Sequence, residues 1–101
     1  MPLLHSVYFY FKDDADPAEI ENQRNSILND LSRISGADQI WAGAPAGIER
    51  DVVDNNYAMS LHIILKDKNS LAAYQADPVH QEFVQRFKPN WKSIKVFDTN
   101  V

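Results

Sequence analysis

The segment YQADPVHQEF, residues 74–83, carries two proton-exchanging side chains on either side of a break between helical stretches. Tyr74 stands three residues before Asp77, and His80 stands three residues after it. Histidine gains or loses a proton near neutral pH, and a tyrosine hydroxyl donates a hydrogen bond. A third group of this kind, His5, opens the first apolar segment. These residue types are typical of general acid–base catalysis on a small molecule.

The dipeptide Asp77–Pro78 predicts that one helix stops and another starts. An aspartate carboxylate caps a helix N-terminus, and proline at the first helical position has a suitable φ and needs no amide partner. We therefore expect helices over 70–76 and 78–88, with His80 in the first turn of the second. Such a break can direct Tyr74 and His80 toward the same space beneath the helices.

Alternating apolar residues predict the sheet that positions this segment. Strands are expected over 3–12, 38–43, 57–66 and 93–98, with a helix over 14–36 and a long loop over 44–56. The first strand places His5 on the face that carries Val7 and Phe9. His5, Tyr74 and His80 are therefore predicted to form a catalytic set at an apolar cavity. The residues expected to line that pocket are Val7, Phe9, Ile27, Met59, Leu61, Phe83 and Trp91.

The helix over 14–36 has its own start and stop signals. Asp16 is a suitable N-cap, Pro17 occupies the first helical position, and Glu19 stands where a capping box places its acidic residue. Gly36 is expected to end the helix.

The element order βαββαβ predicts an α+β, ferredoxin-like domain over residues 1–101, with a four-stranded antiparallel sheet and two helices on one face. Alternation in the third strand places Tyr57 with Met59 on the helix-covered face, and Tyr57 and Trp41 are expected to be packing aromatics. The opposite face carries a structural histidine, His62, and a patch of large side chains. Burying that patch favours a homodimer closed sheet to sheet, a dimeric α+β barrel. The patch consists of Tyr8, Tyr10, Ile64 and Phe97.

Composition excludes several classes of function. The net charge is −4 and no basic cluster is present, which argues against nucleic acid and anionic membranes. No apolar run is long enough to span a membrane, and the N-terminal MPLLHSVYFYF lacks a basic leader segment, so a cytoplasmic location is expected. The absence of cysteine fits a reducing compartment.

Cofactor and metal sites are not expected. The sequence has no glycine-rich phosphate loop, no serine elbow and no dinucleotide fingerprint. A set of His5, His80 and Asp77 could in principle supply two imidazoles and a carboxylate to a metal, and this is the weaker alternative.

The chain resembles the stress-responsive dimeric A/B barrel family. The resemblance rests on His5 in the first strand, on IWAG, on RDVVDNNYAMSLHIILKDKNSLAAYQADPVHQEF and on the closing VFD, and it covers essentially the whole chain. It implies a ferredoxin-like homodimer related to muconolactone isomerases. In the family's plant polyketide cyclases, a histidine at the position of His80 acts as general base. A tyrosine at Tyr74 assists it, and a histidine at His5 lies in the same cavity.

The sequence also departs from those cyclases. They carry a second pocket tyrosine where this chain has Ile27, and a histidine where it has Met59, and the loop over 44–56 is longer here. The resemblance therefore implies a more apolar pocket and a different substrate. Two hypotheses remain: a cofactor-independent cyclase, lyase or isomerase acting on a small carbonyl compound, and a non-catalytic dimer that binds an apolar metabolite or has a structural role in stress tolerance.

Overall fold

A computed structural model describes residues 1–37 and 39–101, so position 38, the predicted first residue of the second strand, lies outside the described residues. The elements follow one another along the chain as a first strand, a helix, two further strands, a pair of helices and a final strand. They are β1 (Leu3–Phe11), α1 (Ala18–Asn29), β2 (Gln39–Gly43), β3 (Met59–Leu65), α2 (Lys68–Ala76), α3 (Pro78–Phe87) and β4 (Trp91–Asn100). Short 3₁₀ turns at Leu31–Arg33 and Lys88–Asn90 follow α1 and α3.

The four strands form one sheet in the order β2-β3-β1-β4, and each neighbouring pair is antiparallel. This confirms the ferredoxin-like arrangement. The inner strand β1 pairs on both sides, so that His5 lies opposite Ile63 of β3 and Asp98 of β4. Because directly opposed residues share a sheet face, His5 and Asp98 point to the same side.

The helices cover the face of β1 that carries His5, Val7 and Phe9, all of which are buried. The buried apolar residues between helices and sheet form the core of the domain. They are Val7, Phe9, Ile27, Leu31, Ile34, Ala37, Met59, Leu61, Ile63, Leu65, Tyr74, Phe83 and Phe87.

The start of α1 has the predicted cap, but the rest of the prediction for this helix needs correction. Oδ1 of Asp16 accepts from the backbone N–H of Ala18 at 2.9 Å. The capping box is wrong, because Glu19 instead accepts from Nδ2 of Asn22 at 2.6 Å. The α-helix ends at Asn29 and not at Gly36. Gly36, with φ of 91°, lies in the turn beyond the 3₁₀ segment, where only glycine adopts this backbone without strain.

The predicted helix break is confirmed at Asp77. Its backbone is extended, with φ −62° and ψ 136°, and its Oδ1 accepts from the backbone N–H of Val79 at 2.9 Å. The break divides the predicted second helix into α2 and α3. α2 begins two residues earlier than expected, because the side chain of Asp67 caps it by accepting from the backbone N–H of Ser70 at 2.8 Å. β4 is longer than predicted, and β3 is shorter.

The open face of the sheet differs from the prediction at Tyr57. This residue precedes β3, so strand alternation does not govern it. Its ring lies on the open face, 5.0 Å from the ring of Tyr8 and 6.4 Å from that of Tyr10. Trp41, opposite His62 in the register, lies on the same face and is 53% exposed. His62 is held there by hydrogen bonds with the hydroxyls of Ser6 at 2.9 Å and Ser60 at 3.0 Å.

Candidate active site

The structure brings His5, Tyr74 and His80 together. The ring of Tyr74 lies between the two imidazoles, with its centroid 6.3 Å from that of His5 and 4.9 Å from that of His80. β1 supplies His5 from below, α2 supplies Tyr74 in its last turns, and α3 supplies His80 in its first turn. The Asp77 break therefore places two of the three side chains, while the sheet places the third.

Sequence reasoning missed a fourth member, Asp98. Nδ1 of His5, which is only 3% exposed, lies 2.5 Å from Oδ1 of Asp98 on the neighbouring strand. The carboxylate accepts a hydrogen bond from Nδ1–H, which leaves Nε2 of His5 for other partners. Asp98 could have been found from the antiparallel pairing of the first and last strands, because this pairing places the VFD segment beside His5.

Tyr74 is completely buried, and its hydroxyl has no hydrogen-bond partner among the described residues. Burial raises the pKa of Tyr74 far above its usual value, because the phenolate would lose its hydration. The side chain is thus a neutral hydroxyl with an unused donor. An unpaired buried hydroxyl costs free energy in the folded state.

His80 is half-buried, and its pKa is lowered from the ordinary value, chiefly by burial and next by the positive charge that His5 can carry. The backbone of Gln75 and the carboxylate of Asp77 act in the opposite direction but do not prevail. The imidazole of His80 is therefore neutral at pH 7. A neutral imidazole can accept a proton from a substrate.

The predicted pocket-lining residues are packed against one another beneath the helices. The ring of Trp91 lies 4.9 Å from Phe9 and 6.2 Å from Phe83, and Phe9 and Phe83 are 6.3 Å apart. Ile27, Met59 and Leu61 are buried in the same core. The assignment of these side chains as ligand contacts stays a prediction.

A second residue that sequence reasoning missed is Gln23 of α1, a polar side chain with no exposed surface. Its Oε1 accepts from the indole Nε1–H of Trp91 at 2.8 Å. Its Nε2 is buried and has no hydrogen-bond partner in the part of the chain that the structure describes. The sequence signal for this residue was its position one helical turn before the apolar Ile27, which places a polar side chain on the buried face of the helix.

Among residues 1–37 and 39–101, three of the clefts at the surface have linings that do not include His5, Tyr74 or His80. The cleft between α1 and α3 has a volume of about 530 Å³ and includes Phe83 and Phe87 at its base. A second, of about 420 Å³, lies on the open sheet face among Tyr8, Tyr10 and Tyr57. The third, of about 480 Å³, lies where α2 begins, near Asp67 and Lys68.

Within residues 1–37 and 39–101, no group of three or more histidine, aspartate or glutamate side chains is arranged to hold a metal ion. Over the same residues, no helix is long and apolar enough to cross a membrane.

The antiparallel sheet with helices on one face defines a ferredoxin-like α+β protein. The chain belongs to the stress responsive A/B barrel domain family, whose model matches residues 3–101. No curated protein matches it significantly by sequence.

Solved structures with a similar fold come from several organisms. A dimeric ferredoxin-like protein of unknown function from Thermobifida fusca has a TM-score of 0.85 and 19% identity, over 100% of this chain and 92% of that one. A Dabb family protein from Mesorhizobium loti has a TM-score of 0.80 and 20% identity, over 99% and 96%. A hydroxynitrile lyase from Passiflora edulis has a TM-score of 0.84 and 14% identity, over 99% and 93%. At these identities the likeness shows the fold alone.

Proposed function

We propose that the protein is a cofactor-independent enzyme that removes a proton from the carbon next to a carbonyl group in a small, largely apolar compound. The observation that carries this proposal is the ring of His80, which lies edge-on to the ring of Tyr74 with the centroids 4.9 Å apart, while the Tyr74 hydroxyl has no partner among the described residues. Base and donor are adjacent, as enolate chemistry requires. One protein of this fold is a hydroxynitrile lyase, so the scaffold is compatible with lyase chemistry.

In the proposed step, a ring nitrogen of His80 takes the proton from the α carbon. The electrons of the broken C–H bond form a C=C bond, and those of the carbonyl π bond move to oxygen. The hydroxyl of Tyr74 donates a hydrogen bond to that oxygen. His5 assists through its position: Asp98 accepts the hydrogen bond from Nδ1–H, which orients the ring toward Tyr74 and leaves Nε2 for the substrate. The protonated His80 then returns its proton. It protonates another carbon of the conjugated enolate, a group that the enolate expels, or the oxygen of a second carbonyl that the enolate carbon attacks, which gives an isomerase, lyase or cyclase respectively.

The test is exchange of the α protons of 2-nonanone for deuterium in D₂O, followed by NMR. Wild type is expected to accelerate the exchange above the buffer rate, and His80→Gln is expected to lose a factor of roughly 10²–10⁴, the usual contribution of general base catalysis. His62→Gln is the matched control, because His62 lies on the opposite sheet face. Equal rates in wild type and His80→Gln would overturn the proposal.

The second candidate is a non-catalytic protein that binds an apolar metabolite or serves as a stable assembly under stress. Close packing favours it: Ile27 and Tyr74 have no exposed surface, and Met59 is 1% exposed. A protein that needs only a stable core fills the space beneath its helices. An absence of any exchange activity, together with full stability of His80→Gln, would favour this candidate.

We also propose a homodimer in which two open sheet faces pack together, with the cytoplasm as its compartment. Relatives of this fold are described as dimeric. The face carries the rings of Tyr8, Tyr10, Tyr57 and Phe97, and Phe97 is 58% exposed. Aromatic surface of this kind gains free energy when a partner covers it.

A further inference from the structure

His62 lies in the middle of a row of side chains that crosses the open face of the sheet. The strand register places one residue of this row on each strand, in the order Trp41, His62, Ser6 and Phe97. Trp41 is 53% exposed and Phe97 is 58% exposed, so the row ends in an uncovered aromatic ring on either side. A second copy that covers these two rings also covers the imidazole between them.

The hydrogen bonds of His62 are complete within one copy of the chain when the imidazole is neutral. Nδ1 lies 2.9 Å from Oγ of Ser6, and Nε2 lies 3.0 Å from Oγ of Ser60. A neutral imidazole has one N–H donor and one acceptor nitrogen, so one hydroxyl accepts from the ring and the other donates to it. The neutral ring therefore needs no partner from a second copy, and an apolar surface can cover it without leaving a polar group unpaired.

A protonated His62 would lack a counter-charge on this face. Among the described residues, the neighbouring row on one side ends at Lys95, that on the other ends at Thr99, and neither contains an aspartate or glutamate. Two tyrosines also face this region: the ring of Tyr8 lies 5.7 Å from that of His62, and the ring of Tyr57 lies 5.0 Å from that of Tyr8. A second copy related by a two-fold axis presents the same rows. An imidazolium between the two faces would therefore be a buried charge without a partner.

Asp54 reaches the open face from the loop before β3, but its carboxylate is engaged there. It accepts from the backbone N–H of Asn56 at 2.7 Å and from the hydroxyl of Tyr10 at 2.8 Å, and it lies 4.0 Å from Nζ of Lys95. The first two hydrogen bonds lower the pKa of Asp54, while burial and the Asp54 charge raise the pKa of Tyr10. Asp54 thus stays charged and Tyr10 stays neutral over the range in which an imidazole titrates.

We propose that His62 makes the homodimer sensitive to pH: the two open faces pack together while its ring is neutral and separate when the ring takes up a proton. This inference rests on the proposed homodimer and not on the proposed chemistry of His80. Burial lowers the pKa of His62 within one copy, and a covering partner would remove more water from the ring and lower this pKa further. Association is therefore strongest above the pKa of the separate copy, and it weakens as the pH falls from that value through the lower pKa of the dimer.

The test is sedimentation equilibrium of wild type in half-unit steps from pH 7.5 to pH 5.0, with circular dichroism to define the steps at which the chain is folded. The dissociation constant of the dimer is expected to rise at least about tenfold over these steps. A pKa that is one unit lower in the dimer corresponds to a factor of about 10 for each histidine, and the dimer contains two copies of His62.

Two variants with the same substitution assign the effect to one side of the sheet. His62→Gln keeps a polar side chain beside Ser6 and Ser60 but takes up no proton, so its dissociation constant is expected to stay constant with pH. His80→Gln is the matched control, because His80 belongs to α3 on the helix-covered side, and it is expected to keep the pH dependence of wild type.

The outcomes separate this inference from the homodimer itself. A wild-type dimer whose dissociation constant is the same at all steps would overturn the inference and keep the dimer. A pH dependence that persists in His62→Gln, or that disappears in His80→Gln, would also overturn it. A wild-type chain that is monomeric at micromolar concentration and pH 7.5 would reject the homodimer, and this inference with it.

Discussion

Nδ1 of His5 and Oδ1 of Asp98 lie 2.5 Å apart although 93 residues separate them in the sequence. The pair joins the inner strand β1 to the edge strand β4 beneath Tyr74. The carboxylate fixes which nitrogen of His5 carries a proton toward the sheet, and thereby which nitrogen faces the proposed substrate.

Asp98→Asn is expected to reduce the exchange rate of 2-nonanone about 10- to 100-fold, because an amide oxygen holds Nδ1–H of His5 less firmly than a carboxylate oxygen does. The NMR signal of the Nδ1–H proton of His5 should move as this hydrogen bond weakens. An exchange rate and ring signal equal to those of wild type would show that Asp98 does not orient His5.

Tyr74→Phe is expected to be more stable than wild type by about 1 kcal/mol, because a buried hydroxyl without a partner is removed. The same variant should lose exchange activity, since the donor to the enolate oxygen is gone. Urea denaturation and the deuterium assay measure the two effects. Lower stability would mean that the hydroxyl is satisfied by a bound water.

Asp77→Ala is expected to lower the free energy of unfolding by about 1 kcal/mol through the lost cap of α3. Asp67→Ala, which removes the cap of α2, is the matched control with a similar loss. Only Asp77→Ala should also reduce exchange, because its helix carries His80. Equal exchange activity of the two variants would show that the cap at Asp77 does not position His80.

Ile64→Asp should disrupt the homodimer, because the open face would bury an unpaired charge at a cost of several kcal/mol. Sedimentation at micromolar concentration is expected to show a dimer for wild type and a monomer for the variant. Val52→Asp serves as the control, since Val52 is 82% exposed in the loop before β3. A dimer that survives Ile64→Asp would exclude this face as the interface.

Stability should fall as the pH decreases below about 6.5. Burial lowers the pKa of both His80 and His62 in the folded protein, so the unfolded chain takes up protons first. Their contribution to stability is complete above the unfolded pKa and is lost as the pH falls from that value through the lower pKa of the folded protein. Urea midpoints at pH 7.5, 6.5 and 5.5 measure this, and the double variant His62→Gln with His80→Gln should flatten the dependence. An unchanged slope in that variant would assign the effect to other groups.

Local patterns were sufficient to predict the order of elements, the two faces of β1 and the restart at Asp77. These features depend on alternation or on one dipeptide, and both are readable over a few residues. Asp98 and Gln23 were not predicted, because their importance comes from partners 93 and 68 residues away. Tyr57 was misplaced because the alternation of a strand was applied to a residue two positions before β3 begins.

The pairing of β1 with β4 has a consequence for synthesis of the protein. On the ribosome, β1 emerges long before Trp91–Asn100, so the strand destined for the middle of the sheet waits with one edge unpaired. Its sequence, LLHSVYFYF, is apolar and aromatic, and an exposed edge of that kind recruits other strands. The nascent chain is therefore most prone to aggregation in the interval before β4 arrives, and a chaperone that shields β1 should increase the soluble yield more than one that acts on the finished chain.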